Sequence, residues 1–166
     1  TLSVAALEQV SSRILELEPE HRAARFNLAM VAQRRGDVTG AQAAYQELYR
    51  EDGRFRQAGE QLGWLYLADG RAVDAVVIFR GLQGQLDEPS NADTGLAMAL
   101  YLSERFDEAI EQCRRVLRRQ SDSIVGHQIL AESLLALGKV EEAALVVRHG
   151  LEVTDGGAEL EYVAGR

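Results

Sequence analysis

Residues 56–89 read RQAGEQLGWLYLADGRAVDAVVIFRGLQGQLDEP, and the order of large, small and polar residues in this stretch decides the fold. Leu62, Gly63 and Tyr66 fall at i, i+1 and i+4, and Ala75 and Phe79 at i and i+4, so each half carries an apolar stripe at helical spacing. Between the halves, Asp69-Gly70-Arg71 supplies a stop, because glycine readily takes the left-handed backbone on which helices end. The stretch therefore predicts two helices joined by a tight turn.

Outward from it, the same pattern returns every 34 residues. Ala41, Ala75, Ala109 and Ala143 form one column; Leu28, Leu62, Leu96 and Leu130 form another, each followed by a small residue, Ala29, Gly63, Ala97 or Ala131. Four residues beyond the leucines stand Ala32, Tyr66, Leu100 and Leu134, and four beyond the alanines stand Tyr45, Phe79, Cys113 and Val147, all suited to burial. Small residues at a helix crossing let the two backbones approach. Arg35-Gly36-Asp37, Glu104-Arg105 and Gly138-Lys139 repeat the inner stop. Polar breaks at Asp52-Gly53, Asp87 to Asn91 around Pro89, Ser121 to Ser123 and Asp155 to Gly157 separate successive pairs.

This arrangement resembles the tetratricopeptide repeat, with its run W-x-x-L-G-x-x-Y, then A-x-x-x-F, then P. Leu62-Gly63, Tyr66, Ala75 and Phe79 reproduce that run; Gly59 stands where the signature has Trp, the other units carry Arg25, Asp93 and His127 there, and the closing proline survives only as Pro19. The resemblance implies an all-α fold, a right-handed α-solenoid of helix-turn-helix units. Its frame divides residues 1–166, one solenoid fragment, into 1–21, the second helix of a preceding unit; complete units at 22–55, 56–89, 90–123 and 124–157; and 158–166, the start of another. In the first segment Leu7 occupies the alanine column and Ser11 the aromatic one. Because each unit buries its faces only by stacking on neighbours, the frame reads as the middle of a longer solenoid.

Composition narrows the function. With 46% apolar and 27% charged residues the chain is that of an ordinary folded protein. A net charge of −8 argues against a nucleic-acid partner, whose phosphates demand Lys and Arg. No apolar run, Leu96 to Leu102 included, is long enough to cross a bilayer, so direct membrane insertion is not expected; a soluble chain of the bacterial cytoplasm or periplasm is. The bacterial source rests on basic residues that are all Arg except Lys139. The single cysteine, Cys113, excludes an internal disulfide framework and reads as a small buried hydrophobe.

No phosphate-cradling loop, dinucleotide fingerprint, HExxH, CxxC or GxSxG arrangement occurs, so the sequence predicts no catalytic residue, no cofactor, no metal ligand and no enzyme in this stretch. His21, His127 and His149 lie far apart in the repeat frame, and His127 reads as a histidine satisfied at a helix contact. Arg114-Arg115-Val116-Leu117-Arg118-Arg119 reads as a solvated helix face, with Glu111 paired to Arg115 and Val116 turned inward.

One face remains. From Leu62 to Trp64 a helix turns by about 200°, which sets Trp64 opposite the packing stripe, together with its equivalents Met30, Met98 and Glu132. One turn earlier stand Phe26, Glu60, Thr94 and Gln128; one turn later Gln33, Leu67, Tyr101 and Leu135, beside Arg34, Ala68, Leu102 and Ala136. The resemblance implies that this side of each first helix lines a concave, ligand-binding surface. The candidate partner-binding residues are Phe26, Met30, Gln33, Arg34, Glu60, Trp64, Leu67, Met98, Tyr101, Leu102, Gln128 and Glu132, apolar in the middle and polar at the ends. Such a groove suits an amphipathic helix or an apolar extended segment of a protein or peptide partner. A chaperone-tail clamp does not fit, since Phe26, Met30 and Trp64 occupy its columns. The expectation is a protein–protein interaction scaffold in the assembly of a bacterial multiprotein complex. The alternatives are a scaffold that self-assembles, 158–166 of one copy completing 1–17 of the next to give a homo-oligomer, and the docking arm of a larger enzyme. Against the groove stands the reading that the neighbouring unit covers Trp64.

Overall fold

The structure, a computed structural model, describes residues 3–83, 91–154 and 163. Among these the chain forms nine helices and no strand: α1 (Val4–Leu17), α2 (Arg22–Arg34), α3 (Val38–Glu51), α4 (Arg56–Ala68), α5 (Ala72–Leu82), α6 (Asn91–Leu102), α7 (Phe106–Arg119), α8 (Ile124–Ala136) and α9 (Val140–Val153). Each packs chiefly on its two neighbours in sequence, which is the contact pattern of a solenoid. The expected break around Pro89, that at Asp155 to Gly157, and the stub 158–166 apart from Val163 lie outside the described residues. Val163 is buried against Ala131 and Val147.

The turns within helix pairs share one construction. Gly36, Gly70 and Gly138 take φ values of +91°, +73° and +74°, and Glu104 takes +59° at the fourth site, where the sequence offers no glycine. Around them the same two backbone bonds recur, as in Gly70 N–H to Leu67 O at 3.1 Å and Arg71 N–H to Tyr66 O at 2.8 Å. This is a helix closed by a left-handed residue, with its last carbonyls satisfied by the chain that leaves it. The residues that begin α5, α7 and α9 (Arg71, Arg105 and Lys139) offer no side-chain cap. Arg71 and Arg105 instead pair with acids in the first turn that follows, Asp74 and Glu108, at the favourable pole of the helix dipole.

The predicted columns form the core. Ala41, Ala75 and Ala109 are fully buried and Ala143 nearly so; Tyr45, Phe79, Cys113 and Val147 lie beneath the surface beside them. Leu62, Leu96 and Leu130 are buried, Leu28 partly. A large apolar side chain withdrawn from water contributes about 1.5–3 kcal/mol, so this lattice of columns is the main source of cohesion. Phe79 fits because glycines flank it: a Cβ at Gly63 or at Gly95 would stand 2.5 Å from its Cζ. The ring is thus a wedge between α4 and α6.

Two features depart from strict periodicity. Ser11 sits fully buried at the aromatic column of α1, and its hydroxyl has no hydrogen-bond partner among the described residues. Helix α5 has 11 residues, whereas α3, α7 and α9 have 14. At its end Gln83 donates to Gln112 Oε1 at 3.1 Å, and the buried Gln112 donates to the Asp93 carbonyl at 3.1 Å, tying α5, α6 and α7 together.

Surface ion pairs stitch neighbouring helices. Arg25 makes a two-pronged pair with Glu51 at 2.8 and 2.9 Å, and Arg80 reaches Glu108. The guanidinium holds the Glu51 carboxyl below the usual range. In the basic run of α7, Glu111 pairs with Arg114 at 3.0 Å rather than with Arg115; Arg114 also lies 3.9 Å from Glu142 of α9, an attraction Arg115 lacks. Val116 is buried as expected.

Candidate partner-binding face

Curvature assigns the sides of the stack. Helices α4 and α6 touch directly, as do α6 and α8, whereas no two of α3, α5, α7 and α9 make a comparable contact among the described residues. In a bent row of pairs, alternate helices meet only on the inner side, so α4, α6 and α8 form the inner row, and the shared period sets α2 in line with them. The face expected to bind a partner belongs to these helices.

Phe26, Met30, Trp64, Leu67 and Tyr101 are partly buried and pack against the largest core cluster; Met98, with Tyr101 and Leu135, packs against the next. Leu102 is 50% exposed. Trp64 is therefore not wholly opposite the packing stripe. Its ring meets Phe79 edge-on with centroids 5.5 Å apart, because an indole is long enough to reach around the helix to the wedge. Phe26 is held similarly, 5.4 Å from Tyr45 and 5.6 Å from Phe55. Tyr101 lies 5.9 Å from Phe106. These aromatics are anchored at one side and open at the other.

The polar members are tied down. Tyr45 donates its hydroxyl to Gln33 Oε1 at 3.1 Å, and burial pushes that phenol up to about 12, with nearby Arg34 pulling the other way, so it remains a donor at neutral pH. Glu60 pairs with Arg56 at 2.7 Å and so adds little net charge. Gln128 donates to Glu132 at 3.3 Å. Arg34 is exposed, with no ion pair among the described residues. The result is an apolar middle with a cation toward one end and a carboxylate toward the other.

Sequence reasoning missed Phe55 and Val125. Phe55 precedes α4 inside a polar break, where no helical period could reveal it, yet its ring meets Phe26 edge-on. Val125 stands one turn before Gln128 on the same stripe and is 40% exposed; extending that stripe by a turn would have found it. The face offers apolar contact and hydrogen-bonding groups. Among the described residues no group of three or more His, Cys, Asp and Glu side chains could hold a metal. Cys113 is fully buried, and burial pushes its thiol up to about 12. No helix among the described residues is long and apolar enough to cross a membrane.

A row of antiparallel helix pairs on one period, with alanine and aromatic columns at its crossings and its first helices on the inside, defines an α-helical repeat solenoid. The chain belongs to the tetratricopeptide repeat family: the family model described as Tetratricopeptide repeat matches residues 4–54, 28–91 and 61–124. No curated protein matches it. Among solved structures it is similar to MamA from Desulfovibrio magneticus RS-1, with 14% identity over 90% of this chain and 94% of that one and a TM-score of 0.76. A thermophilic TPR protein of Thermus thermophilus has 18% identity over 98% and 89%, TM-score 0.68. YrrB, described as a TPR protein with an unusual peptide-binding site, has 19% identity over 93% and 80%, TM-score 0.77. At these identities the likeness is one of fold.

Proposed function

We propose that the chain is a protein–protein interaction scaffold that holds a helical or extended segment of a partner along the inner face of its first helices, in the assembly of a bacterial multiprotein complex. The frame 22–55, 56–89, 90–123 and 124–157 is the division on which this reading rests, each unit offering one segment of the face. The observation that carries it is the apolar row Met30, Trp64, Met98 and Tyr101, anchored on the core yet only partly covered. Aromatic side chains fixed on one side bind at little further entropic cost, and methionines between them adapt to different guests. Solenoids present just such extended concave surfaces, and the described likeness to a peptide-binding TPR protein agrees.

Trp64 is the chain's single tryptophan, so its emission reports on the face. Panning a random-peptide library against the protein should enrich sequences with apolar residues at regular spacing, and these should shift Trp64 emission to the blue. Trp64→Ala should keep its helical circular dichroism while binding weakens by more than ~2 kcal/mol. Enriched peptides that leave the emission unmoved and bind Trp64→Ala equally well would place the binding elsewhere.

A further inference from the structure

His127 and His149 are 22 positions apart in sequence, yet the rings meet. Helix α8 brings His127 inward and α9 brings His149 across from it, with centroids 5.6 Å apart and planes at 76°. The repeat frame sets the two far apart, but the helix pair folds its two members back on each other, so distance in the frame is not distance in space. His127 is 3% exposed. The expected satisfaction of its ring is only half met. Nε2 lies 2.8 Å from the Ser121 carbonyl oxygen, while Nδ1 is buried with no hydrogen-bond partner among the described residues.

That pairing fixes the tautomer. A carbonyl oxygen can only accept, so Nε2 carries the proton and Nδ1 of the neutral ring keeps its lone pair. A buried acceptor left without a donor is a standing cost. An imidazole whose one N–H is held by a backbone carbonyl is also how proteins orient a metal-binding histidine, with the opposite nitrogen as ligand. The two rings border a cavity of about 260 Å³ whose other walls include Leu117, Leu130, Leu145 and Val146. His149 stands at the exposed side.

We propose that His127 and His149 form a two-imidazole site for a borderline transition-metal ion, Zn²⁺, Ni²⁺ or Cu²⁺, with His127 Nδ1 as the inner ligand, His149 as the outer one and water in the remaining positions. The spacing fits. A metal–nitrogen bond of about 2.0–2.1 Å and roughly 1.1 Å from nitrogen to ring centre put two imidazoles on one tetrahedral ion with centroids about 5 Å apart. The observed 5.6 Å lies close to that separation. Imidazole selects this class over Mg²⁺ and Ca²⁺, which want oxygen. The apolar walls offer no competing ligand, and two protein donors leave coordination positions open.

The untagged chain titrated with Cu²⁺ and followed by electron paramagnetic resonance should show one ion coupled to nitrogens of two imidazoles. In a parallel Zn²⁺ titration, the nitrogen resonances of His127 and His149 should shift at one equivalent, Nε2 of His127 keeping its proton, while those of His21 stay in place. His149→Ala, at an exposed position that leaves the core intact, should remove one imidazole coupling. It should also weaken Zn²⁺ binding at least as much as the ~10- to 100-fold lost with an outer-shell partner. Coupling to a single imidazole in the unaltered chain, coupling to none because the acidic surface takes the ion, or a two-imidazole signal that survives His149→Ala would each overturn the proposal.

Discussion

Gly95→Ala should destabilise this protein, although it replaces glycine by the best helix former in the interior of α6. Propensity alone favours alanine by about 1 kcal/mol. The structure opposes it: the new methyl would stand 2.5, 2.7 and 2.9 Å from Cζ, Cε1 and Cε2 of Phe79, against an ordinary carbon–carbon separation of about 3.5–4.0 Å. The ring cannot simply retreat, because Gly63 of α4 admits it from the other side with the same clearances. Overpacking of a closed site costs about 1–3 kcal/mol. A ring pinned on both sides belongs at the upper end, so the net loss is about 2 kcal/mol. Urea denaturation followed by circular dichroism measures it directly. The decisive version is a cycle with Phe79→Leu, which removes the ring. In that background Gly95→Ala should change sign and stabilise by about 1 kcal/mol. A rise in midpoint in the unaltered background, or the same effect in both, would refute the wedge.

Three further outcomes are expected. Glu104→Gly should raise stability by about 0.5–1 kcal/mol, because it relieves an L-residue held at φ 59° and is only partly offset by a freer unfolded chain; thermal melting beside Glu104→Val, which should melt lower, checks it. Ser11→Ala should leave stability unchanged or raise it by up to about 1 kcal/mol, since the buried hydroxyl gains nothing from burial; a loss larger than that in urea titration would mean the hydroxyl is bonded. Cys113, with its thiol at about 12, has roughly one thiolate in 10⁵ at pH 7. Ellman's reagent should therefore label it only as fast as the protein opens, with urea accelerating the reaction, and native labelling at the rate of a free thiol would contradict the burial.

Much of the fold was legible because burial in a solenoid recurs. The columns through Ala75 and Phe79 were visible as columns, and all eight of their members are buried. The turns were legible where glycine marks them and equally at Glu104, because the period demanded a stop even without the preferred residue. What could not be read were properties that depend on reach across helices. A period places Trp64 by angle but says nothing of how far an indole extends, so its contact with Phe79 was invisible. Glu111 was matched to Arg115 by spacing along α7, while Arg114 also feels Glu142 on another helix. The meeting of His127 with His149 is of the same kind. The candidate face was read from one helix at a time, which finds its middle and misses Phe55, a residue that no helix carries.

The turns within pairs and those between them differ in make. All four inner turns close on a left-handed residue with the same two backbone bonds. The three described outer joints share another: the N–H groups of His21, Phe55 and Ser123 donate to the carbonyls of Glu18, Asp52 and Gln120, and only the side chains differ, His21 and Ser123 capping the next helix while the Phe55 ring meets Phe26 edge-on. Mechanically, the described stack is closer to a uniform spring than to a string of stiff links, since helices pack about as closely across the outer joints as within a pair. A bending load, or a guest drawn along the inner face, is then shared along the row rather than concentrated at one joint.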